Sequence, residues 1–346
     1  MSESTLCVGV IGAGRIGKLH AENLVYALPE ARLKTIADVQ LNPAMEAWAR
    51  GLGIPCVTPD PAVLLRDPEI QAVIICSSTS THADFVIQAA QAGKHVFCEK
   101  PVDLDARKVR AALDAVARAG VQLQVGFNRR FDHNFRRVRD HVEAGAIGTP
   151  HLIKITSRDP APPPAEYVAV SGGIFLDMMI HDLDMARFQA GSEVEEVYAT
   201  GAVLVDPAIG RAGDVDTAVV TLRFANGALG VIDNSRQAVY GYDQRLEVFG
   251  SKGVAVAEND RPNTVSLATA TEVRSEKPMY FFLERYQAAY VAELRAFLEA
   301  LVQHRPCTVT GEDGYQDLIV ALAANRSLAE RRPVRIAEIQ AELAAR

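Results

Sequence analysis

The chain is poor in cysteine and has no cysteine pair. Its five cysteines, Cys7, Cys56, Cys76, Cys98 and Cys307, are odd in number and far apart in 346 residues. That excludes a disulfide framework and points to a reducing compartment. Cys7, Cys76 and Cys98 fall in or beside expected strands, where a thiol behaves as a small apolar side chain. No apolar run reaches the ~18 residues that a membrane helix needs, and no charged-then-apolar leader follows Met1. A cytoplasmic protein without membrane contact is the expectation. Basic charge is not in excess either: Lys and Arg number 36 against 43 Asp and Glu, a net charge of −7. That argues against a nucleic-acid or anionic-membrane surface. The local run Arg129, Arg130, Arg136, Arg137 and Arg139 is interrupted by acids and reads as a solvated or substrate-facing helix. No H-E-x-x-H and no third ligand of suitable spacing occur, so no metal is expected. There are no internal repeats.

What the chain does contain is an ordinary globular composition, 49% apolar and 23% charged, at a length that suits two domains. Near its start the apolar run Val8–Ile11 leads directly into Gly12-Ala13-Gly14-Arg15-Ile16-Gly17 and then a helical segment from Lys18. In a G-x-G-x-x-G turn between strand and helix the glycines divide the work. Gly12 makes the tight turn, Gly14 lets a pyrophosphate approach the backbone, and Gly17 lets helix and strand pack closely. The helix N-terminus offers N–H groups and a positive dipole end to the phosphates. A second strand, Leu33–Ala37, ends at Asp38, about 20 residues past the last glycine, where a carboxylate binds the adenosine ribose hydroxyls. Such a carboxylate repels a 2′-phosphate, and Gln40 and Leu41 supply no arginine to hold one. NAD rather than NADP is the expected cofactor.

Strand and helix signals alternate through the first third. Ala72–Cys76, His95–Cys98 and Gln122–Val125 read as buried strands, and the intervening helices stop at Gly93 and Gly120. Six strands with such crossovers make a doubly wound parallel (Rossmann) sheet, placed at residues 1–125. Beyond that the strands are closely spaced: Leu152–Thr156, Val194–Val205, Thr217–Phe224, Leu229–Ser235 and Gln244–Phe249. Ala225–Ala228 and Gly250–Gly253 supply hairpin-type turns. An α+β domain with a large, mostly antiparallel open sheet is expected over 126–346. Its helices should lie near Phe175–Gln189, Arg285–His304 and Tyr315–Glu330, with the last ones able to pack back on the first domain. Thr217–Phe224 has apolar residues on both faces, so one face would stay exposed without a second subunit.

Three groups of residues could carry chemistry. Glu99-Lys100-Pro101 closes a strand at the carboxyl edge of the sheet, where open α/β folds bind ligands. Pro101 restricts the backbone of Lys100, whose ammonium can polarise a substrate oxygen. Asp177 and His181, spaced i and i+4 behind Gly172-Gly173, would share one face of a helix, the carboxylate orienting the imidazole as a general base. The hydroxyl-rich loop Ser77–His82 lies at the same edge as Lys100. It could meet the cofactor through Ser77, Thr79 and His82, or cap the helix that starts near Ala83.

Together these motifs resemble the Gfo/Idh/MocA oxidoreductase family over essentially the whole chain. The resemblance rests on the glycine turn, on Gly93–Pro101, on Gly172-Gly173 through His181, and on Gly311-Glu312-Asp313-Gly314 with Ala321–Arg332. Ser157-Arg158-Asp159-Pro160, Ile180–Phe188 and Ala238–Arg245 look most like its NAD-dependent inositol 2-dehydrogenase branch. Where the family often carries Thr-Pro-Asn after the fourth strand, this chain carries Ser77-Ser78-Thr79. The resemblance implies a catalytic set of Lys100, Asp177 and His181. It implies cofactor contacts from Gly12, Ala13, Gly14, Arg15, Ile16, Gly17, Asp38, Ser77, Thr79, His82, Glu99 and Lys100. The implied reaction is oxidation of a secondary ring alcohol of a cyclic polyol, first of all myo-inositol to 2-keto-myo-inositol. Scyllo-inositol, glucose or another sugar are the alternatives. Asn128, Arg129, Asp159 and Tyr240 are candidates for binding the polyol beside the catalytic residues. Homodimers or tetramers through the C-terminal sheet are also implied. A rival of another class, an NAD-binding regulator without turnover, is disfavoured by the intact Lys100, Asp177 and His181.

Overall fold

The structure, a computed structural model, describes residues 5–345. The chain forms two units, the first made of Met1–Asn128 with Ala288–Gln316, the second of Arg129–Gln287 with Asp317–Arg346. In the first unit β1 (Leu6–Ile11), β2 (Ala31–Ala37), β3 (Cys56–Thr58), β4 (Ala72–Ile75), β5 (His95–Glu99) and β6 (Leu123–Gly126) form a sheet in the order β3-β2-β1-β4-β5-β6. Every neighbouring pair is parallel. The chain winds outward from β1 to β3 and then crosses back to β4. That places the reversal point of the sheet beyond the carboxyl ends of β1 and β4, where doubly wound folds bind dinucleotides. All residues of β1 and β4 are buried, as continuous apolar runs in parallel sheets are. Gly93 and Gly120 end their helices with φ of 71° and 66°, a left-handed conformation that costs glycine little.

A late segment completes the first unit. Leu294, Phe297, Leu298, Ala300 and Leu301 of the helix Gln287–Val302 share one core with Val8, Val10, Leu24, Ile74 and Phe97. The Phe97 and Phe297 rings meet edge-on at 6.0 Å.

The second unit contains β7 (Pro150–Arg158), β8 (Val194–Ala202), β9 (Thr217–Phe224), β10 (Leu229–Ser235), β11 (Asp243–Gly250) and β12 (Gly253–Ala257). It also has a small hairpin of β13 (Ser266–Ala268) and β14 (Val273–Ser275), and the short β15 (Val334–Arg335). Seven of these make one sheet, β12-β11-β7-β10-β9-β8-β15, antiparallel throughout except where β10 runs parallel to β7. The sheet is therefore mixed and mostly antiparallel. β9 alternates cleanly, with Ala218, Val220, Leu222 and Phe224 buried and Val219 turned outward. β8 ends at Ala202 rather than Val205. The buried Asp216 carboxylate accepts the N–H groups of Leu204 (2.8 Å), Val205 (2.8 Å) and Asp206 (3.0 Å), which takes that backbone off the ladder. Burial alone would raise the Asp216 carboxyl, but these backbone donors hold it below the usual carboxylate range.

Candidate active site

The glycine turn has the geometry its sequence demands. Gly12 has a φ of 91°, and a Cβ there would stand 2.6 Å from the Ser77 backbone nitrogen. At Gly17 a Cβ would meet the Gly12 carbonyl oxygen at 1.9 Å, whereas at Gly14 nothing lies within 4 Å. Two glycines are therefore required by contacts within the protein. The third faces open space that a pyrophosphate would fill. Gly14 caps the helix Arg15–Tyr26 without any side-chain hydrogen bond, and no acid occupies its first turn. Its positive end is thus left for an anion. The Asp38 carboxylate accepts the Ala13 N–H at 2.6 Å and the Gln40 N–H at 2.7 Å, which fixes it at the rim of the turn. These residues fit a dinucleotide with a ribose diol.

At the ends of β4 and β5 the hydroxyl loop and the lysine segment are tied together. Thr81 Oγ1 donates to the Ser78 carbonyl at 2.7 Å, so the 2.7 Å contact with Ser77 is donated by Ser77 Oγ. The helix here starts at Thr79, and its N-cap Ser78 makes no side-chain cap bond. His82 is buried, with Nδ1 2.8 Å from the Pro101 carbonyl and Nε2 2.9 Å from the Ser77 carbonyl. It thereby braces the loop against the Lys100–Pro101 backbone, while Ser77, Thr79 and Lys100 keep partial exposure. Glu99 is engaged inside the unit, its Oε1 2.7 Å from Nε2 of the buried His20. Glu293, on the helix Gln287–Val302, completes this cluster. Burial, reinforced by the Glu99 charge, pushes the Glu293 carboxyl well above the ordinary range. His20 and Glu293 carry no motif signal; the fold alone brings them to Glu99.

The other candidate residues, Asp177 and His181, lie in the second unit. The segment expected as one helix from Phe175 is two. Ile174–Met178 forms a wide turn closed by the Met179 N–H on the Ile174 carbonyl at 2.8 Å, and the α-helix runs from Ile180 to Ala190. Asp177 and His181 therefore come from consecutive segments of different pitch, not from one α-helical face. Such π-type turns concentrate at functional sites. Gly173, with a φ of 79°, leaves room for Asp214: a Cβ there would lie 2.8 Å from Asp214 Oδ1, which accepts the Ile174 N–H at 3.2 Å. Both Asp177 oxygens are held. Oδ1 accepts from the Tyr167 hydroxyl at 2.9 Å and Oδ2 from Arg236 Nη1 at 3.4 Å. Neither Tyr167 nor Arg236 belongs to a motif, and only the fold identifies them. His181 is half-buried.

The structure sorts the expected polyol-binding residues. Asp159 is half-buried. Desolvation, opposed by the Arg236 and Arg129 charges, pushes its carboxyl up to about 6. Arg129 is buried and donates to Asp182 and, at 3.4 Å, to Ser157 Oγ. Asp182 also accepts from Asn234 at 3.0 Å. This buried pair ties Arg129 to the helix that carries His181. The Tyr240 hydroxyl donates to Asp243 at 2.6 Å and accepts from Arg158 at 3.2 Å. Asn128 is buried, and its Nδ2 has no acceptor among the described residues.

Two family descriptions match the chain: an oxidoreductase family with an NAD-binding Rossmann fold over residues 6–127, and a GFO/IDH/MocA C-terminal domain over residues 135–256. A myo-inositol 2-dehydrogenase of Thermotoga maritima is 54% identical over 332 residues, 96% of this chain and 99% of that protein. The crystal structure of a myo-inositol dehydrogenase from Corynebacterium glutamicum is 42% identical with a TM-score of 0.91, covering 96% of this chain and 98% of that one. A scyllo-inositol dehydrogenase from Lactobacillus casei, solved with NAD(H) and scyllo-inositol bound, is 32% identical with a TM-score of 0.89, over 96% and 99% of the two chains.

Proposed function

Because the chain belongs to the GFO/IDH/MocA family of NAD-binding oxidoreductases, we propose that it oxidises a ring alcohol of an inositol, with myo-inositol the first substrate. The observation that carries this reading is the dinucleotide cradle that ends in Asp38, in a chain that also has Lys100, Asp177 and His181. Full-length likeness to inositol dehydrogenases supports it. The open space at Gly14, the uncapped helix and the Asp38 carboxylate would hold NAD. NAD, when bound there, would supply the acceptor for the hydride of the carbinol carbon. His181 removes the hydroxyl proton, and Asp177, fixed by Tyr167 and Arg236, orients and charges that imidazole. The Lys100 ammonium stabilises the negative charge that develops on the oxygen. Asp159 would accept polyol hydroxyls, and it would accept best when ionised.

No helix among the described residues is long and apolar enough to cross a membrane. The five free cysteines favour a reducing, cytoplasmic setting. A second copy of the chain is the expected partner for the outer face of the second sheet, where Tyr198, Val219, Leu229, Phe249 and Val254 are 40 to 51% exposed. Initial rates with NAD and NADP across inositol stereoisomers and aldoses test the assignment. The reading predicts NAD-dependent oxidation of myo-inositol in preference to glucose. Absence of turnover with every inositol would remove it.

A further inference from the structure

We infer that Arg236 is a positioning residue for the reaction, acting through Asp177 in concert with Tyr167; the inference rests on the catalytic reading of Asp177 and His181. Arg236 directly follows β10 and is 1% exposed, among the largest fully buried side chains of the molecule. Its backbone N–H donates to the Asp216 carbonyl at 2.8 Å, which fixes the root of the side chain. The guanidinium then reaches a corner of carboxylates. Nη1 lies 3.4 Å from Asp177 Oδ2, and Nη2 lies 3.5 Å from Asp214 Oδ2. Asp159, at the end of β7, feels Arg236 as its strongest neighbouring positive charge, with Arg129 next and the Asp177 and Asp182 carboxylates opposing.

This arrangement is costly unless it has a use. Arg236 Nε and Nη2 are buried and make no hydrogen bond, although an arginine has five donors to satisfy. Buried unsatisfied donors destabilise a fold, so packing alone does not account for an arginine here. What the position does provide is a fixed cation on the side of Asp177 opposite Tyr167, so that each carboxylate oxygen is held by a different donor. A carboxylate whose two oxygens are held by different donors has its orientation fixed, and that is what a carboxylate needs in order to orient a basic imidazole.

The test compares Arg236→Gln, Arg236→Lys and Tyr167→Phe with the unaltered enzyme. Arg236→Gln should lower kcat by about 10²-fold, the usual effect of a small misplacement of catalytic groups. KM for NAD should stay constant. Losing the cation that faces Asp177 and Asp214 leaves more net negative charge around the base, so the acidic limb of kcat/KM should move to higher pH by about one unit. Arg236→Lys should restore most of the pH profile, and the exposed Tyr167→Phe, which leaves the fold intact, should cost a few-fold in kcat. Titration of the His181 imidazole by NMR in the unaltered and Arg236→Gln proteins gives a readout that does not depend on turnover, and it should shift upward by the same amount. A folded Arg236→Gln protein with unchanged kcat and an unmoved His181 titration overturns the inference. An unaltered enzyme inactive on every inositol overturns the functional reading instead, while the His181 titration still decides the coupling.

Discussion

Replacing Asp38 by alanine isolates the choice of cofactor. The two carboxylate oxygens offer about four acceptor positions. The Ala13 and Gln40 N–H groups occupy two of them, at 2.6 and 2.7 Å. The remaining two match the two hydroxyls of a ribose diol. Each hydrogen bond to a charged acceptor contributes about 1.5 kcal/mol at a half-exposed site such as this, so losing both costs about 3 kcal/mol, or roughly 10²-fold in kcat/KM for NAD. A 2′-phosphate at about 4 Å from Asp38 meets repulsion of about 1–4 kcal/mol per unit charge. Removing the carboxylate relieves it, and NADP should gain about 10-fold. The gain is limited because the Ala13 N–H loses its acceptor and the turn loosens. Asp38→Asn separates the two effects, since it keeps an acceptor for that N–H while removing the charge. The assay is kcat/KM for both cofactors at saturating inositol. An NAD to NADP ratio that is the same in Asp38→Ala as in the unaltered enzyme would refute the reasoning.

Three further outcomes follow from particular contacts. Gly17→Ala puts a Cβ 1.9 Å from the Gly12 carbonyl; NAD binding by fluorescence titration should weaken more than 10-fold (about 10²-fold or beyond), and undiminished binding would contradict the role of the turn. Asp159, raised to about 6 from its ordinary 3.8, keeps its proton in the folded chain at pH values where the unfolded chain has lost it. Its contribution to stability therefore falls as pH rises from about 4 to 6, so Asp159→Asn should gain melting temperature relative to the unaltered protein between about pH 4 and 7, while KM for inositol in the unaltered enzyme falls as pH rises through 6. On the outer sheet face, Leu229→Lys with Phe249→Lys should convert an oligomer to monomers in sedimentation, and an unaltered protein already monomeric at micromolar concentration would remove the proposed interface.

The legible parts of this chain were those where local chemistry leaves little choice. Gly12 and Gly17 are glycines because a Cβ would strike backbone atoms, and Asp38 is fixed by its distance from that turn. In β9 the sequence has apolar residues on both faces, and the fold decides that Ala218, Val220, Leu222 and Phe224 are the buried ones. Less was legible where distant residues decide the outcome. The end of β8 depends on Asp216, a carboxylate that captures backbone donors. The pitch change at Met178–Ile180 lies inside a segment whose residues read as ordinary helix. The return of Leu294 and Phe297 to the first core is a contact across most of the chain. Within the site, Tyr167 and Arg236 reach Asp177 by folding alone, and no spacing rule in the sequence pairs them. His82 was grouped with the cofactor contacts from its place in the loop, yet its ring joins two backbone carbonyls.

The central claim is that His181 is the base and Lys100 the electrophile for oxidation of an inositol hydroxyl. Rapid mixing of NAD-saturated enzyme with myo-inositol, following reduced cofactor in a single turnover, tests it most directly. His181→Ala and Lys100→Ala should each slow that step by about 10²–10⁴-fold, with NAD affinity unchanged for His181→Ala because the glycine turn and Asp38 remain. A His181→Ala protein that reduces NAD at the unaltered rate at every pH would contradict the account.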